Sequence, residues 1–353
     1  MGARRRRPRD LDIPPSAALR QNSKTVRKAE DMPYFLGVDA GGTKTEFLLG
    51  DETSVLGRVR TGTIKRMKAS EETVEANLAD ALRRLTDATS ISMQSVARCC
   101  IGTAGNTVPL VVDWLRNAFA RHVGGELILM GDVEIALDSA FFGKRGIVVL
   151  AGTGSNVAGR TASGVIVTTG GWGPAMADQG SGHFIGLEGL RRGFLAIDQQ
   201  SPTDLIDIAQ AHWNLASIGE LIEFANANPA PNFSTLAPLV VECAERGDVV
   251  AREVLEQGGQ DLAYLASLLV ERIRSMEAGS QEMFELPAVA IAGSILERVA
   301  LVREAMHASL RQRYPGIVFL DTAADPPVGA LWVARHHNTS SAQQERASQE
   351  TQP

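Results

Sequence analysis

Short apolar runs, Gly-rich turns and longer amphipathic stretches alternate along the chain. Residues 35–49 contain two apolar runs on either side of a polar turn, which predicts a β-hairpin. The near-continuous apolar run at 146–151 predicts a buried central strand. A second turn of Gly, Thr and Ser follows it, and the segments at 157–160 and 165–168 look extended. The same arrangement of strand, turn and strand thus occurs twice, which indicates a duplicated fold.

Helical and strand patterns alternate in the rest of the chain. Buried strands are expected at 97–101, 126–130, 287–292 and 317–320, where short apolar runs are bounded by Gly or polar residues. Apolar residues at helical spacing over 249–276 predict one long amphipathic helix. Strands separated by helices over this length indicate an α/β protein.

The length of 353 residues favours two domains. We expect an N-terminal domain at 33–145 and a C-terminal domain at 146–336, between disordered tails at 1–32 and 337–353. No apolar run reaches 18 residues, so we expect no membrane span. Three cysteines do not form a disulfide framework, and they favour a reducing cytoplasm.

The net charge of −6 is unevenly distributed. Residues 1–32 carry nine Lys/Arg and four Asp/Glu, so the rest of the chain is strongly acidic. The run Arg4–Arg7 is typical of an arm that binds nucleic acid or a membrane, but we favour a solvated tail. A natural start at Met32 is a further alternative. The acidic body argues against nucleic acid as a partner.

The first candidate site is the hairpin turn, in which Asp39 is followed by Ala40 and then by Gly41, Gly42, Thr43 and Lys44. Paired glycines let the backbone approach a ligand closely. A run of exposed N–H groups beside a hydroxyl and an ammonium suits a phosphate. Asp39 suits a water bound to Mg²⁺, which prefers one or two carboxylates plus phosphate oxygens. The alternative is a Gly-rich turn without a ligand.

The loop at 170–182 is rich in glycine and carries Trp172 and Asp178. This composition is poor material for a core and predicts a sugar site, where an aromatic surface meets a hydrogen-bonding carboxylate. The Asp178 carboxylate can accept two sugar hydroxyls at once. We interpret His183, which begins the next predicted helix, as solvated or structurally bonded rather than as a ligand.

Five pieces of the sequence in a fixed order resemble the sugar kinase/Hsp70/actin superfamily. They are Asp39–Thr43, Asp132 after its predicted strand, Gly152–Asn156, Gly293–Ser294 and Gly329–Ala330. The finer resemblance is to the BadF/BadG/BcrA/BcrD ATPase family and its N-acetylglucosamine kinases, and it covers about residues 34–336. It implies a duplicated ribonuclease H-like fold, of the actin and sugar-kinase type, with a nucleotide cleft between two α/β domains.

This resemblance also implies ATP and Mg²⁺ as cofactors, an amino sugar as substrate and a homodimer. The positions that match nucleotide-binding residues are Gly41, Gly42, Thr43, Lys44, Thr153, Gly247 and Gly293, with Asp39 holding Mg²⁺ through water. The positions that match substrate-binding residues are Asn106, Ser155, Asn156, Trp172, Gly173 and Asp178.

Two positions depart from the family pattern. Asn106 stands where these kinases have an aspartate that faces the sugar hydroxyl as the base. An amide cannot accept that proton, and general-base assistance is worth about 10²–10⁴-fold in rate. Asp132 and Asp178 are the alternative bases, and Asp132 matches the position where related sugar kinases have a catalytic aspartate. At the second position the family has a sugar-binding Asn, whereas this chain has Lys65 beside Arg66. Lys65 would suit an acidic or phosphorylated substrate, or the loop is simply solvated.

Three functions are compatible with the sequence. The first is an ATP-dependent kinase of an amino sugar or a related small molecule. The second is a non-catalytic sugar sensor, which Asn106 favours. The third is an ATPase that activates a dehydratase or reductase through an iron–sulfur cluster shared by two subunits. Cys99, Cys100 and Cys243 do not follow Gly-rich loops in a way that suggests such a cluster.

Overall fold

A computed structural model of the protein describes residues 33–278 and 284–337. The expectations for residues 1–32 and 338–353 therefore lie outside the described residues. The strands are β1 Tyr34–Ala40, β2 Lys44–Gly50, β3 Val55–Gly62, β4 Val96–Gly102, β5 Glu126–Met130, β6 Gly146–Ala151, β7 Ser155–Arg160, β8 Ile166–Gly170 and β9 Val289–Ala292. The helices are α1 Glu71–Thr89, α2 Pro109–His122, α3 Asp132–Phe141, α4 Gly182–Asp198, α5 Leu205–Trp213, α6 Ile218–Ala225, α7 Ala237–Glu245, α8 Val249–Glu277, α9 Ser294–Arg298, α10 Ala300–Arg313 and α11 Pro326–His336.

Two mixed sheets repeat one strand order. The first sheet has the order β3-β2-β1-β4-β5, and the second has the order β8-β7-β6-β9. In each sheet the opening three strands form an antiparallel meander, and the next strand runs parallel to the first one. The predicted α/β class and the predicted duplication are therefore confirmed.

The strand expected at 317–320 is wrong, because the chain makes only an isolated parallel bridge there. Phe319 is bridged to Val289 in β9, and the Leu320 N–H donates to the Val289 carbonyl at 2.9 Å. The next bond to β9 comes from the N–H of Ala324 to the carbonyl of Ile291. The residues between Leu320 and Ala324 bend away from β9, so a continuous ladder does not form.

Helices cover the second sheet more thickly than the first. The long helix α8 was predicted almost to the residue, and it packs against α10 and against β6, β7 and β8 of the second sheet. Gly259 allows this close crossing, because a Cβ there would collide with the carbonyl of Val302 in α10. This layer carries the apolar core of the second half of the chain.

The last helix crosses back to the first sheet. Helix α11 packs against β1, β4 and α3, and its Leu331 shares a buried cluster with Phe35 and Cys100. Gly329 makes the crossing with α3 close, since a Cβ would overlap the Ile135 carbonyl. The contacts among the described residues hold 33–337 in one unit. The domain boundary expected after residue 145 stays a prediction.

Helix α3 lies between the two sheets. It contacts β4 of the first sheet and β6 and β7 of the second. Asp132 is its first residue and directly follows β5 and Gly131, so its carboxylate is placed at the carboxyl end of the first sheet. None of the helices in the described parts of the chain has the length and apolar character that a membrane crossing requires.

Candidate functional site

The turn between β1 and β2 presents an open backbone surface. Gly41 needs to be glycine, because a Cβ would stand 2.7 Å from the carbonyl oxygen of Lys44. At Gly42 no described atom lies within 4 Å of the place of a Cβ. The turn residues Gly42 and Thr43 are half-buried or exposed. A ligand can therefore approach these N–H groups closely, which fits the predicted phosphate site.

The second Gly-rich turn joins β6 to β7 and is held by the start of α4. The N–H groups of Gly182 and His183 donate to the carbonyls of Gly152 and Thr153 at 2.7 and 3.2 Å. A Cβ placed on Gly152 would have no described atom within 4 Å, as at Gly42. The helix thus fixes the loop while leaving one side of it accessible.

Gly293 lies against this second turn. Its φ is +89°, a conformation that favours glycine, and a Cβ would stand 2.5 Å from the carbonyl oxygen of Ala151. The structure therefore brings Gly293 together with Gly152 and Thr153. Gly247 lies in the turn between α7 and α8 with a φ of +97°. The roles of Gly293 and Gly247 in binding adenosine stay predictions.

Three carboxylates that the sequence singles out converge. Burial, together with the neighbouring charge of Asp132, raises the pKa of Asp39 to about 7. Burial also raises the pKa of Asp178, and Asp132 contributes there as well. Asp132 is therefore near enough to act on a carboxylate from each half of the chain. Asp39 is the next-to-last residue of β1, whereas Asp178 follows β8.

Asp178 is fixed by the second Gly-rich turn. Its Oδ1 accepts the backbone N–H of Ser155 at 2.8 Å. Gly154 permits this approach, since a Cβ there would stand 3.2 Å from Oδ2 of Asp178. The hydroxyl of Ser155 donates to the carbonyl of Gln179 at 2.7 Å, and the side-chain oxygen of Asn156 accepts the N–H of Val157. The predicted sugar-binding residues 155, 156 and 178 are thus neighbours.

The aromatic residue of the predicted sugar site is at the surface. Trp172 is 69% exposed, and Gly173 turns the chain with a φ of +89°. The carbonyl of Gly173 accepts the N–H groups of Met176 and Ala177, which closes a tight loop after Trp172. Contact of Trp172 and Gly173 with a sugar stays a prediction.

Lys65 lies within reach of the charges of Asp39 and Asp132, whereas its neighbour Arg66 has a different partner. Burial lowers the pKa of Lys65, while the charges of Asp132 and Asp39 oppose that shift. Its ammonium is 3.4 Å from the carbonyl oxygen of Ala104, in the turn that also carries Asn106. Arg66 instead pairs with Glu71 at 3.1 Å. A role of Lys65 in substrate binding stays a prediction.

Lys44, predicted to hold phosphate, has a partner on its own strand. Its ammonium donates to Glu46 Oε1 at 2.8 Å, because alternate residues of β2 share a face. Glu46 also accepts hydrogen bonds from Arg58 and Arg60. The role of Lys44 in phosphate binding stays a prediction.

Sequence analysis did not single out Thr63 as a site residue. Its hydroxyl donates to the carbonyl of Gly41 at 3.0 Å and ties the loop after β3 to the first Gly-rich turn. His183 was set aside as a ligand, and its ring packs edge-on against Phe233 at 5.5 Å between centroids. Burial lowers the pKa of His183, and the charge of Asp178 opposes that shift. Thr63 lies in a loop without a recognisable motif, so its contact with Gly41 is visible only in the folded chain.

The site fits a nucleotide with Mg²⁺. Among residues 33–278 and 284–337 no group of three or more His, Cys, Asp or Glu side chains lies together as a metal site. Mg²⁺ uses one or two carboxylates and takes its other ligands from phosphates and water. Asp39, which directly precedes the first Gly-rich turn and its open side at Gly42, matches that requirement.

Two sheets of one strand order, with a Gly-rich turn after the first strand of each, define the fold of the actin-like ATPases and sugar kinases. The chain belongs to the BadF/BadG/BcrA/BcrD ATPase family, whose family model matches residues 36–334. The resemblance noted in the sequence is thereby confirmed.

Curated relatives are similar over nearly their whole length. One is the N-acetylmuramic acid/N-acetylglucosamine kinase of Clostridium acetobutylicum, 25% identical over 316 residues, which cover 86% of this chain and 99% of the relative. Another is the N-acetyl-D-glucosamine kinase of Dictyostelium discoideum, 27% identical over 318 residues, with 85% and 97% covered.

Solved structures support the same fold. A putative N-acetylglucosamine kinase from Chromobacterium violaceum has a TM-score of 0.65 at 24% identity, and the match covers 86% of this chain and 99% of that one. A ROK family glucokinase from Streptomyces griseus, solved with glucose and AMPPNP, has a TM-score of 0.52 at 17% identity, with 86% and 99% covered.

Proposed function

We propose that the protein is an ATP-dependent kinase that phosphorylates an amino sugar. The observation that carries this proposal is the convergence of Asp39, Asp132 and Asp178 beside two open Gly-rich turns. Phosphoryl transfer depends mainly on positioning and on stabilisation of charge, and this arrangement supplies groups for both. The two curated relatives, which are named as N-acetylglucosamine kinases, support the choice of substrate class.

Each predicted residue has a place in this proposal. The phosphates of ATP would lie against Gly41, Gly42, Thr43 and Thr153, and the adenosine near Gly247 and Gly293. The amino sugar would contact Asn106, Ser155, Asn156, Trp172, Gly173 and Asp178. Asp39 would hold Mg²⁺ through water, and the bound ion supplies positive charge to the phosphate oxygens.

Asp132 is the proposed base, because Asn106 cannot accept a proton. The attacking sugar hydroxyl gives its proton to the Asp132 carboxylate as its oxygen bonds to the γ-phosphorus, and ADP leaves. The charge of Asp132 acts on both Asp39 and Asp178, which belong to the predicted nucleotide and sugar sites, and this supports the choice of Asp132. Asp178 is the alternative base. One oxygen of each carboxylate already accepts a backbone N–H, from Ser155 for Asp178 and from Val133 for Asp132.

The test is to incubate the purified protein with Mg-ATP and a panel of neutral amino sugars and acidic sugars. ADP release and product mass are followed together, with Asp132→Asn as the matched variant. We expect one sugar to gain a phosphoryl group and the variant to lose about 10²–10⁴-fold in kcat. ADP release without a phosphorylated sugar would contradict the proposal.

Asn106 favours one second function, that of a sugar sensor without turnover. The comparison of wild type with Asn106→Asp separates the two. A sugar that binds to both proteins but is phosphorylated only by the variant would identify the natural protein as a sensor. Equal turnover by both would confirm that another residue serves as the base.

The activator function has less support. Cys99 and Cys100 are fully buried in β4, and burial raises the pKa of both thiols. Buried thiols with raised pKa values are poor ligands for a cluster shared at a subunit surface. A purified protein containing iron and sulfide would revive that alternative. A cytoplasmic location and a homodimer remain part of the proposal, and light scattering would test the dimer.

A further inference from the structure

The proposed transfer needs a cation at the transferred phosphoryl group, and the chain offers two lysines near the first Gly-rich turn. Lys44 lies at the start of β2, and Lys65 lies in the loop after β3. The two ammonium groups have different surroundings, which lets the structure distinguish their roles.

Lys44 belongs to an ion cluster on the face of the hairpin that also carries Leu48. Glu46 accepts from Lys44 at 2.8 Å, from Arg60 Nη2 at 2.6 Å and from Arg58 Nη2 at 2.5 Å. Arg58 extends the cluster to Asp325, just before α11. Three cations thus share one nearly buried carboxylate, and Lys44 is its partner from β2 itself.

The loop that carries Lys65 is held on several sides. The hydroxyl of Thr63 donates to the carbonyl of Gly41 and accepts the backbone N–H of Lys65 at 3.1 Å. Ile64 is fully buried, and its carbonyl accepts the indole N–H of Trp114 at 2.9 Å. The backbone of Lys65 is therefore fixed relative to the first Gly-rich turn, through Thr63 and Gly41.

The Lys65 ammonium faces the reaction centre. Asp39 and Asp132 both act on its charge, and the ammonium contacts the carbonyl of Ala104. These are the two carboxylates that the proposed function assigns to the metal and to the attacking hydroxyl. An anion placed between them, as a γ-phosphoryl group would be, needs a positive partner there.

We propose that Lys65, and not Lys44, is the lysine that contacts the transferred phosphoryl group, and that Lys44 stabilises the hairpin through Glu46. This inference rests on the proposed function. In the step, the sugar oxygen bonds to the γ-phosphorus, the bond from that phosphorus to the bridging oxygen of ADP breaks, and the proton goes to Asp132. Lys65 remains protonated throughout and balances the negative charge of the phosphoryl oxygens.

The experiment compares Lys65→Met, Lys65→Arg and Lys44→Met, with Lys144→Met at an exposed turn as the matched control. Calorimetry without sugar measures the affinities for Mg-ATP and Mg-ADP, and product assays give kcat. We expect Lys65→Met to lose most of the preference for ATP over ADP and about 10²–10³-fold in kcat. Lys65→Arg should retain part of both, because the charge is kept.

Lys44→Met should lower the melting temperature while keeping the ATP-to-ADP affinity ratio. The proposal is overturned if Lys44→Met loses that ratio while Lys65→Met keeps it, or if both keep it. Thermal melts of each variant show whether it is folded. If the wild type binds nucleotide but phosphorylates no sugar, the proposed substrate fails, and the affinity ratios still decide the role of Lys65.

Discussion

At the scale of single residues, the site contains carboxylates whose like charges repel one another. Burial is the main reason why the pKa of Asp39 is raised to about 7. The charge of Asp132 adds to the shift, and the charge of Lys65 offsets only part of it. Near neutral pH this carboxyl is therefore partly protonated in the nucleotide-free protein. A hydrated Mg²⁺ requires the ionised form, so proton release and binding of Mg-nucleotide are coupled.

We expect the affinity for Mg-ADP to fall as the pH falls below about 7, because the proton on Asp39 then competes with the ion. Above that pH the affinity should level off. Calorimetry in buffers of different ionisation enthalpy would measure the protons released on binding. Asp39→Asn should abolish that release, and an affinity that does not vary between pH 5.5 and 7.5, a range taken about the raised pKa, would contradict the argument.

At the scale of elements, the alternation of side chains along β2 and β3 explains contacts that no sequence motif indicates. The sequence correctly predicted the hairpin of β1 and β2, because apolar runs flank a Gly-rich turn. It could not show that Lys44, Glu46, Arg58 and Arg60 share one face, since that requires the register in which Glu46 lies opposite Arg60. The position of Lys65 depends in turn on Thr63 reaching Gly41, a contact between residues that are distant in sequence.

The Glu46 cluster predicts acid sensitivity of the hairpin. Burial raises the pKa of Glu46, but hydrogen bonds from Lys44, Arg58 and Arg60 outweigh it and lower the pKa to about 2. Since the folded pKa lies below the ordinary value of 4.5, the stabilisation is complete above pH 4.5 and is lost as the pH falls towards 2.

Glu46→Gln should therefore lower the free energy of unfolding by about 1–3 kcal/mol at pH 7. The difference from wild type should shrink between pH 4.5 and 2. Urea unfolding across this range would measure both effects. Glu253→Gln, at an exposed position of α8, is the control, and a difference that grows on acidification would contradict the assignment.

At the scale of the whole molecule, helix α3 joins the two sheets. Asp138 of this helix pairs with Arg160 of β7 at 2.8 Å, and both side chains are buried. The repeat of strand, turn and strand could be predicted from the sequence, and so could the family. The pair between Asp138 and Arg160 could not, because each residue looks like an ordinary surface charge until the second sheet meets α3.

Removing one partner of this pair should strongly destabilise the protein. Arg160→Met leaves the Asp138 carboxylate buried without its cation, which typically costs about 3–5 kcal/mol. The double variant Arg160→Met with Asp138→Leu should recover most of that loss, because both charges are then gone. Chemical unfolding of the three proteins gives the comparison, and a double variant less stable than the single one would count against a buried ion pair.

Because α11 packs against the first sheet, the order of synthesis determines when the apolar face of that sheet is covered. The apolar side of β1 and β4 that Leu331 and Ala330 cover includes Phe35 and Cys100. Both are synthesised long before α11, on the order of two to three hundred residues earlier. During translation that face stays uncovered until the second sheet and its helices have emerged. The part of the fold that is synthesised first is thus the last to be covered. A chain whose synthesis is interrupted therefore exposes an apolar surface that a chaperone would recognise.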